Sequence, residues 1–160
     1  MSDAKKPMHP GLPVLNEDPR PWEVKVWVTL ARVYALLERR LGQCLAAHGL
    51  SLSQFDVLAT LWHGEGITQQ ELAERLLVTK GNVVGLIDRV GAAGWVERRP
   101  DPGDRRANRL YLTDAGRKLL SEAFPDQVSF VCNAFGRLNE AELRQMHQLL
   151  ERLDTVPDAG

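Results

Sequence analysis

The stretch RRPDPGDRRANRLYLT, residues 98–113, holds five arginines in sixteen positions. A guanidinium is planar, permanently charged and able to grip phosphate through two N–H groups at once. The chain as a whole has a formal net charge of −1, so this is a local concentration. Residues 79–109 carry seven basic side chains against four acidic ones, a net of +3. Residues 114–154 carry five against seven, a net of −2. The chemistry this pattern suits is the binding of a polyanion, with positive charge gathered where phosphates would lie. Arg105 and Arg106 flank the tip of a Pro/Gly turn. Arginine on a thin tip fits the narrow, strongly negative minor groove of A·T-rich DNA. Asp104 stands beside them, close enough to aim a guanidinium through a charge-assisted hydrogen bond.

Other reactive constellations are missing from the sequence. There is no Ser/His/Asp grouping, paired-carboxylate motif, phosphate-cradling loop or metal-ligand spacing, and His9, His48, His63 and His147 are dispersed. The chain therefore reads as a non-enzyme with no metal and no cofactor. Cys44 and Cys132 form no ligand-spaced motif and read as buried, inert thiols in a reducing cytoplasm. A regulator that senses oxidation through Cys44 or Cys132 is the alternative.

Around the arginines, the elements can be read from caps and periodicity. Residues 1–21 hold five of the nine prolines and read as an N-terminal arm outside the core. No apolar run follows the early lysines, so no signal peptide is expected, and no segment approaches the length of a membrane span. From Trp22, apolar residues recur every three or four positions up to His48 and Gly49, one stripe of a long helix. Ser51 with Gln54, Thr68 with Glu71, and Asn139 with Glu142 are capping boxes. Thr79 and Thr113 are further N-caps, and Gly94 is placed to stop the helix that begins after Thr79. Two short helices joined by a tight turn make a helix-turn-helix. The run from Trp95 to Arg99 and the run from Arg109 to Thr113, joined by turn residues, make the two arms of a β-hairpin wing. After Thr113 a helix follows that Pro125 should kink or interrupt, then a last helix with Leu143, Met146, Leu150 and Leu153 on one face.

The expected fold is mainly α with a small β-hairpin wing. Residues 51–113 form a winged helix-turn-helix lobe. Residues 22–50 and 114–154 form a helical dimerisation region, and residues 155–160 are a tail. On the second helix of the helix-turn-helix, Val83, Leu86, Ile87 and Val90 face inward. The opposite face holds Gly81, Gly85 and Asp88, flanked by Asn82 and Arg89. Glycine in a helix interior costs up to about 1 kcal/mol against alanine, a cost that close approach to a groove could offset. Asn82 and Arg89 can bond base edges or phosphates. Asp88 needs a cationic partner near DNA, and Arg98 is the nearest candidate.

Three segments together resemble the MarR family of bacterial winged-helix regulators. They are ITQQELAERLLVTKGNVVGLIDRVGAAGWVERR, DPGDRRANRLYLT and LTDAGRKLL. The frame of the wing is Asp104, Arg106, Leu112 and Thr113. The resemblance runs from about Trp22 to Leu153. It implies an obligate homodimer on a double-stranded, pseudo-palindromic operator, acting as a repressor and released by a small, anionic aromatic effector. The implied DNA contacts are Thr68, Gln69, Thr79, Lys80, Gly81, Asn82, Gly85, Arg89, Arg98, Asp104, Arg105, Arg106 and Arg109. The implied effector contacts are Trp27, Tyr34, Trp62 and His63, aromatic walls beside a basic group. A winged helix used for protein–protein contact is the rival reading; it would favour an apolar or acidic wing, which the five arginines oppose.

Overall fold

Local signals set the helix boundaries seen in the computed structural model, which describes residues 20–103 and 107–154. In chain order the elements are α1 (Trp22–Ala46), α2 (Leu52–His63), β1 (Ile67–Thr68), α3 (Gln69–Arg75), α4 (Lys80–Ala92), β2 (Val96–Pro100), β3 (Asn108–Leu112), α5 (Asp114–Phe135) and α6 (Glu140–Asp154). The chain divides into two units, Met1–Leu36 and Leu37–Gly160. Arm residues 1–19, wing-tip residues 104–106 and tail residues 155–160 lie outside the described residues.

In the first unit, α1 begins at Trp22, and Lys25 Nζ sits over the Trp22 ring, 4.9 Å from its centroid. Trp27 and Tyr34 are exposed there.

The second unit holds the core. Leu45, Leu58, Leu61, Leu72, Val83, Ile87, Val90, Leu110 and Leu120 are almost fully buried. The Phe55 and Phe124 rings stack at 6.4 Å, tying α2 to α5, within the spacing that aromatic pairs prefer. All three expected capping boxes form: Ser51–Gln54, Thr68–Glu71 and Asn139–Glu142. Thr79 and Thr113 cap α4 and α5.

Three helices end in the same way. After α1, α3 and α4, one residue takes a left-handed conformation, and two backbone bonds close the turn. This Schellman arrangement favours glycine at the left-handed position. Gly49 (φ 71°) and Gly94 (φ 74°) follow the rule, whereas Leu77 (φ 53°) takes that position after α3 and is 94% exposed.

Two details differ from expectation. The sheet has three strands in the order β1-β3-β2, all antiparallel, with Ile67 opposite Leu110 and Thr68 opposite Arg109. The sequence suggests only the hairpin, since a two-residue strand shows no periodicity. Pro125 does not interrupt α5, which runs unbroken through it. Proline removes one N–H, and here both Pro125 and Ser121, whose carbonyl loses that donor, are exposed, so water can take its place.

Candidate nucleic-acid interface

The face of α4 away from the core begins at Thr79, whose hydroxyl accepts from the Asn82 N–H at 3.4 Å. Val83, Leu86, Ile87 and Val90 are buried, so Lys80, Gly81, Asn82, Asp88 and Arg89 are left facing outward. A side chain placed on Gly81 would meet nothing within 4 Å, so this stretch of backbone is bare and open. Gly85 is half-buried because the Arg89 guanidinium lies near it, 3.5 Å from where a Cβ would stand. Lys80 Nζ reaches back to Gln70 Oε1 at 3.4 Å, and Gln70 Nε2 donates to Glu74 Oε1 at 3.0 Å.

Each described arginine of the wing has an acidic partner. Arg98 Nη2 donates to Asp88 Oδ1 at 2.5 Å, the pairing expected from sequence. Arg99 binds Glu97 and lies over the Tyr111 ring, 4.3 Å from its centroid. Arg109 Nε meets Asp101 Oδ2 at 2.5 Å, and its Nη1 donates to the Gly66 carbonyl at 2.6 Å. Arg109, expected among the DNA contacts, is thus held by an acid and a backbone carbonyl while its side chain stays 39% exposed. Asp101 is only 10% exposed and also accepts from the Gly103 N–H at 2.7 Å, which shapes the start of the turn. Asp104, Arg105 and Arg106, the expected tip residues, lie outside the described residues.

At the start of α3, the Thr68 hydroxyl accepts from the Glu71 N–H at 3.2 Å. In return Glu71 Oε2 accepts from the Thr68 N–H at 2.6 Å, and this bond holds the Glu71 carboxyl below its ordinary range. Thr68, Gln69 and Gln70 line a cleft of about 360 Å³ with Arg98, Asn108 and Leu110. The cleft is lined by none of Trp27, Tyr34, Trp62 or His63. Trp62 and His63 are exposed at the end of α2 in the second unit. Cys132, expected to be buried, is exposed, and Cys44 is half-buried.

Sequence reasoning missed Glu65. Its carboxylate accepts from the Leu112 N–H at 2.7 Å and from Arg117 Nη2 at 2.6 Å. Nothing local in GEG signals partners so far along the chain. Among the described residues no cluster of His, Cys, Asp and Glu could hold a metal, and no helix is long and apolar enough to cross a membrane.

The MarR family model matches residues 48–107, from just past α1 through the wing turn. The HTH-type transcriptional regulator PecS of Dickeya dadantii is 30% identical over 129 residues, covering 79% of this chain and 78% of its own. The chain belongs to the MarR family. MhqR of Bacillus subtilis, another HTH-type transcriptional regulator, is 25% identical over 81% of this chain and 90% of its own. A cysteine-to-serine mutant of E. coli MarR, solved in complex with operator DNA, superposes with a TM-score of 0.78 at 25% identity, covering 86% of this chain and 99% of that one. This MarR-family chain is accordingly a DNA-binding transcriptional regulator and not an enzyme. In that family frame α3 and α4 are the helix-turn-helix, and β2 and β3 are the wing.

Proposed function

We propose that this regulator is a repressor. It holds a pseudo-palindromic operator as a homodimer and leaves it when a small, anionic aromatic effector binds. The observation that carries the DNA half is the open, glycine-bared face of α4, flanked by Lys80, Asn82 and Arg89 and joined to the wing by Asp88–Arg98. In this reading Asn82 and Arg89 read base edges in the major groove, bare Gly81 lets the helix approach closely, and Gly85 does so once the Arg89 side chain turns to the DNA. Thr68, Gln69, Thr79 and Lys80 hold phosphates. Arg106 and Arg105 enter the minor groove, with Asp104 aiming them. Arg98 and Arg109 add further contacts from the wing strands, each also held by an acid, Asp88 and Asp101.

The dimer half rests on apolar surface left on α6: Leu149, Leu150 and Leu153 are 50%, 39% and 54% exposed. Residues 22–50 and 114–154 form the dimerisation region, and residues 51–113 the DNA-binding lobe. The effector half rests on exposed aromatic side chains, Trp62 with His63 in the second unit and Trp27 with Tyr34 in the first. A redox-responsive reading is favoured by one observation, the exposure of Cys132; Cys132→Ser and Cys44→Ser in a peroxide-treated binding assay test it.

The deciding experiment measures binding to the DNA upstream of the protein's own gene by fluorescence anisotropy across a salt series. Arg106→Ala should bind more weakly, with a salt slope smaller by up to about 2 per dimer, since each phosphate neutralised adds roughly 0.9. Equal affinity and equal slope would refute the wing contact. Aromatic carboxylates at up to millimolar concentration should release the DNA and quench tryptophan emission with one midpoint. No effect on either signal removes that effector class.

A further inference from the structure

We propose that Glu65 is a positioning residue for operator binding, clasping the return strand of the wing to the start of α5. β3 is the middle strand, and β1, on one side of it, is only two residues long. The register that sets Ile67 opposite Leu110 leaves Leu112 beyond the end of β1. There the Glu65 carboxylate takes the place of a strand carbonyl: one oxygen accepts from the Leu112 N–H at 2.7 Å. The other oxygen accepts from Arg117 Nη2 at 2.6 Å, in the first turns of α5.

The next residue repeats the grip. The Gly66 N–H donates to the Leu110 carbonyl at 2.9 Å, and its own carbonyl accepts from Arg109 at 2.6 Å. Gly66 has a φ of 76°, and a Cβ there would stand 3.1 Å from the Tyr111 hydroxyl, so a larger residue would be strained in its backbone and tight against Tyr111. Glu65 is 24% exposed, and its bonds are charge-assisted in a partly desolvated place, where they are stronger than at an open surface. The chain returns from the wing turn along β3, and Glu65 and Gly66 hold that strand at Leu110 and Leu112 where it meets the lobe. Glu65 itself lies at the root of the wing and needs no contact with DNA to act.

The proposal rests on the wing contact proposed above, and its test separates the two. Operator affinity is measured for Glu65→Ala, Glu65→Gln, Arg106→Ala, Lys80→Ala and the doubles Glu65→Ala/Arg106→Ala and Glu65→Ala/Lys80→Ala. Amide exchange across β3 is followed in each. Glu65→Ala should bind roughly tenfold more weakly, the size expected when hydrogen bonds to a charged group are lost. Its salt slope should change less than that of Arg106→Ala, and exchange at Leu112 should quicken. Glu65→Gln keeps an acceptor for Leu112 and should lose less. Glu65→Ala should be non-additive with Arg106→Ala and additive with Lys80→Ala, because only the wing contact passes through Glu65. General loosening of the fold would add equally to both. If Arg106→Ala is weakened but additive with Glu65→Ala, or Leu112 exchange is unchanged, the positioning role is overturned while the wing contact stands. If Arg106→Ala binds as wild type, the wing contact fails and the positioning role falls with it.

Discussion

Asp88 of α4 and Arg98 of β2 meet at 2.5 Å, so the helix proposed to face DNA and the first strand of the wing are joined by an ion pair. In the proposed complex the pair cancels an acid that would otherwise repel phosphate. Its side chains are 57% and 39% exposed, so it contributes at most about 1 kcal/mol to folding. Asp88→Asn should leave the melting temperature almost unchanged. Freed from its partner, Arg98 can turn to a phosphate, and the salt slope on non-specific DNA should rise by up to about 1 per subunit. Anisotropy titrations on a random duplex check this; an unchanged slope with tighter binding would mean that removing the acid, and not freeing the arginine, is what matters.

Leu77 should be improved by removing it. Its φ of 53° is the conformation that Gly49 and Gly94 supply at the other two helix ends. A non-glycine residue there costs roughly 1–2 kcal/mol, against up to about 1 kcal/mol of extra chain entropy for glycine. At 94% exposure the side chain gives little packing in return. Leu77→Gly should therefore raise stability by up to about 1 kcal/mol in urea unfolding. A clear loss of stability would mean the leucine is held by contacts of its own.

Gly116 is constrained by space. A Cβ there would stand 2.1 Å from the Trp95 carbonyl oxygen, which also accepts from the Thr113 N–H at 3.0 Å. Gly116→Ala must push α5 away from the junction of α4 and β2. The cost should reach the upper end of the roughly 1–3 kcal/mol typical of overpacking, or exceed it. Chemical denaturation reads it directly, and a change below about 0.5 kcal/mol, the scatter of surface substitutions, would show that the junction yields.

Asp56 gives a pH dependence. Burial, and then the nearby charge of Glu38, raise its carboxyl above its ordinary 3.8. The folded state thus binds this proton more readily than the unfolded chain. Ionised Asp56 is a penalty that is full above the folded-state value, shrinks as the pH falls through it and is gone below 3.8. Asp56→Asn should stabilise the protein at neutral pH, with a smaller gain near about pH 4.5. Urea unfolding at the two pH values tests the sign, and an equal gain at both would assign the effect to packing.

The dimer reading makes its own demand. Leu150→Glu with Leu153→Glu places two charges on exposed apolar surface of α6 and should give a monomer that no longer binds operator. Light scattering and circular dichroism distinguish that from unfolding. A folded, dimeric, DNA-binding double variant would move the interface elsewhere.

What could be read in advance follows the reach of each interaction. Helix starts were legible because a cap and its partner are three residues apart, as in Ser51–Gln54, Thr68–Glu71 and Asn139–Glu142. The Asp88–Arg98 pair was legible because an acid on a basic face needs a nearby cation. β1 was not, since two residues carry no alternation. Glu65 was not, because its partners are 47 and 52 residues away. Arg109 looked like its neighbours in composition; only the fold turns it toward Asp101 and Gly66.

The grip of Glu65 and Gly66 also orders events during synthesis. Their partners Arg109, Leu112 and Arg117 follow 43, 47 and 52 residues later. At about 5–20 residues per second, the ribosome takes several seconds to deliver them. During that interval α2, α3 and α4 can be helical, but β1 has no strand to pair with and the Glu65 carboxylate has no clasp to close. A nascent chain arrested before β3 presents an open edge, the kind of surface that recruits other strands. The lobe is completed from its far end, when α5 begins to emerge, so a premature stop within the wing should yield an aggregation-prone fragment and not a smaller working regulator.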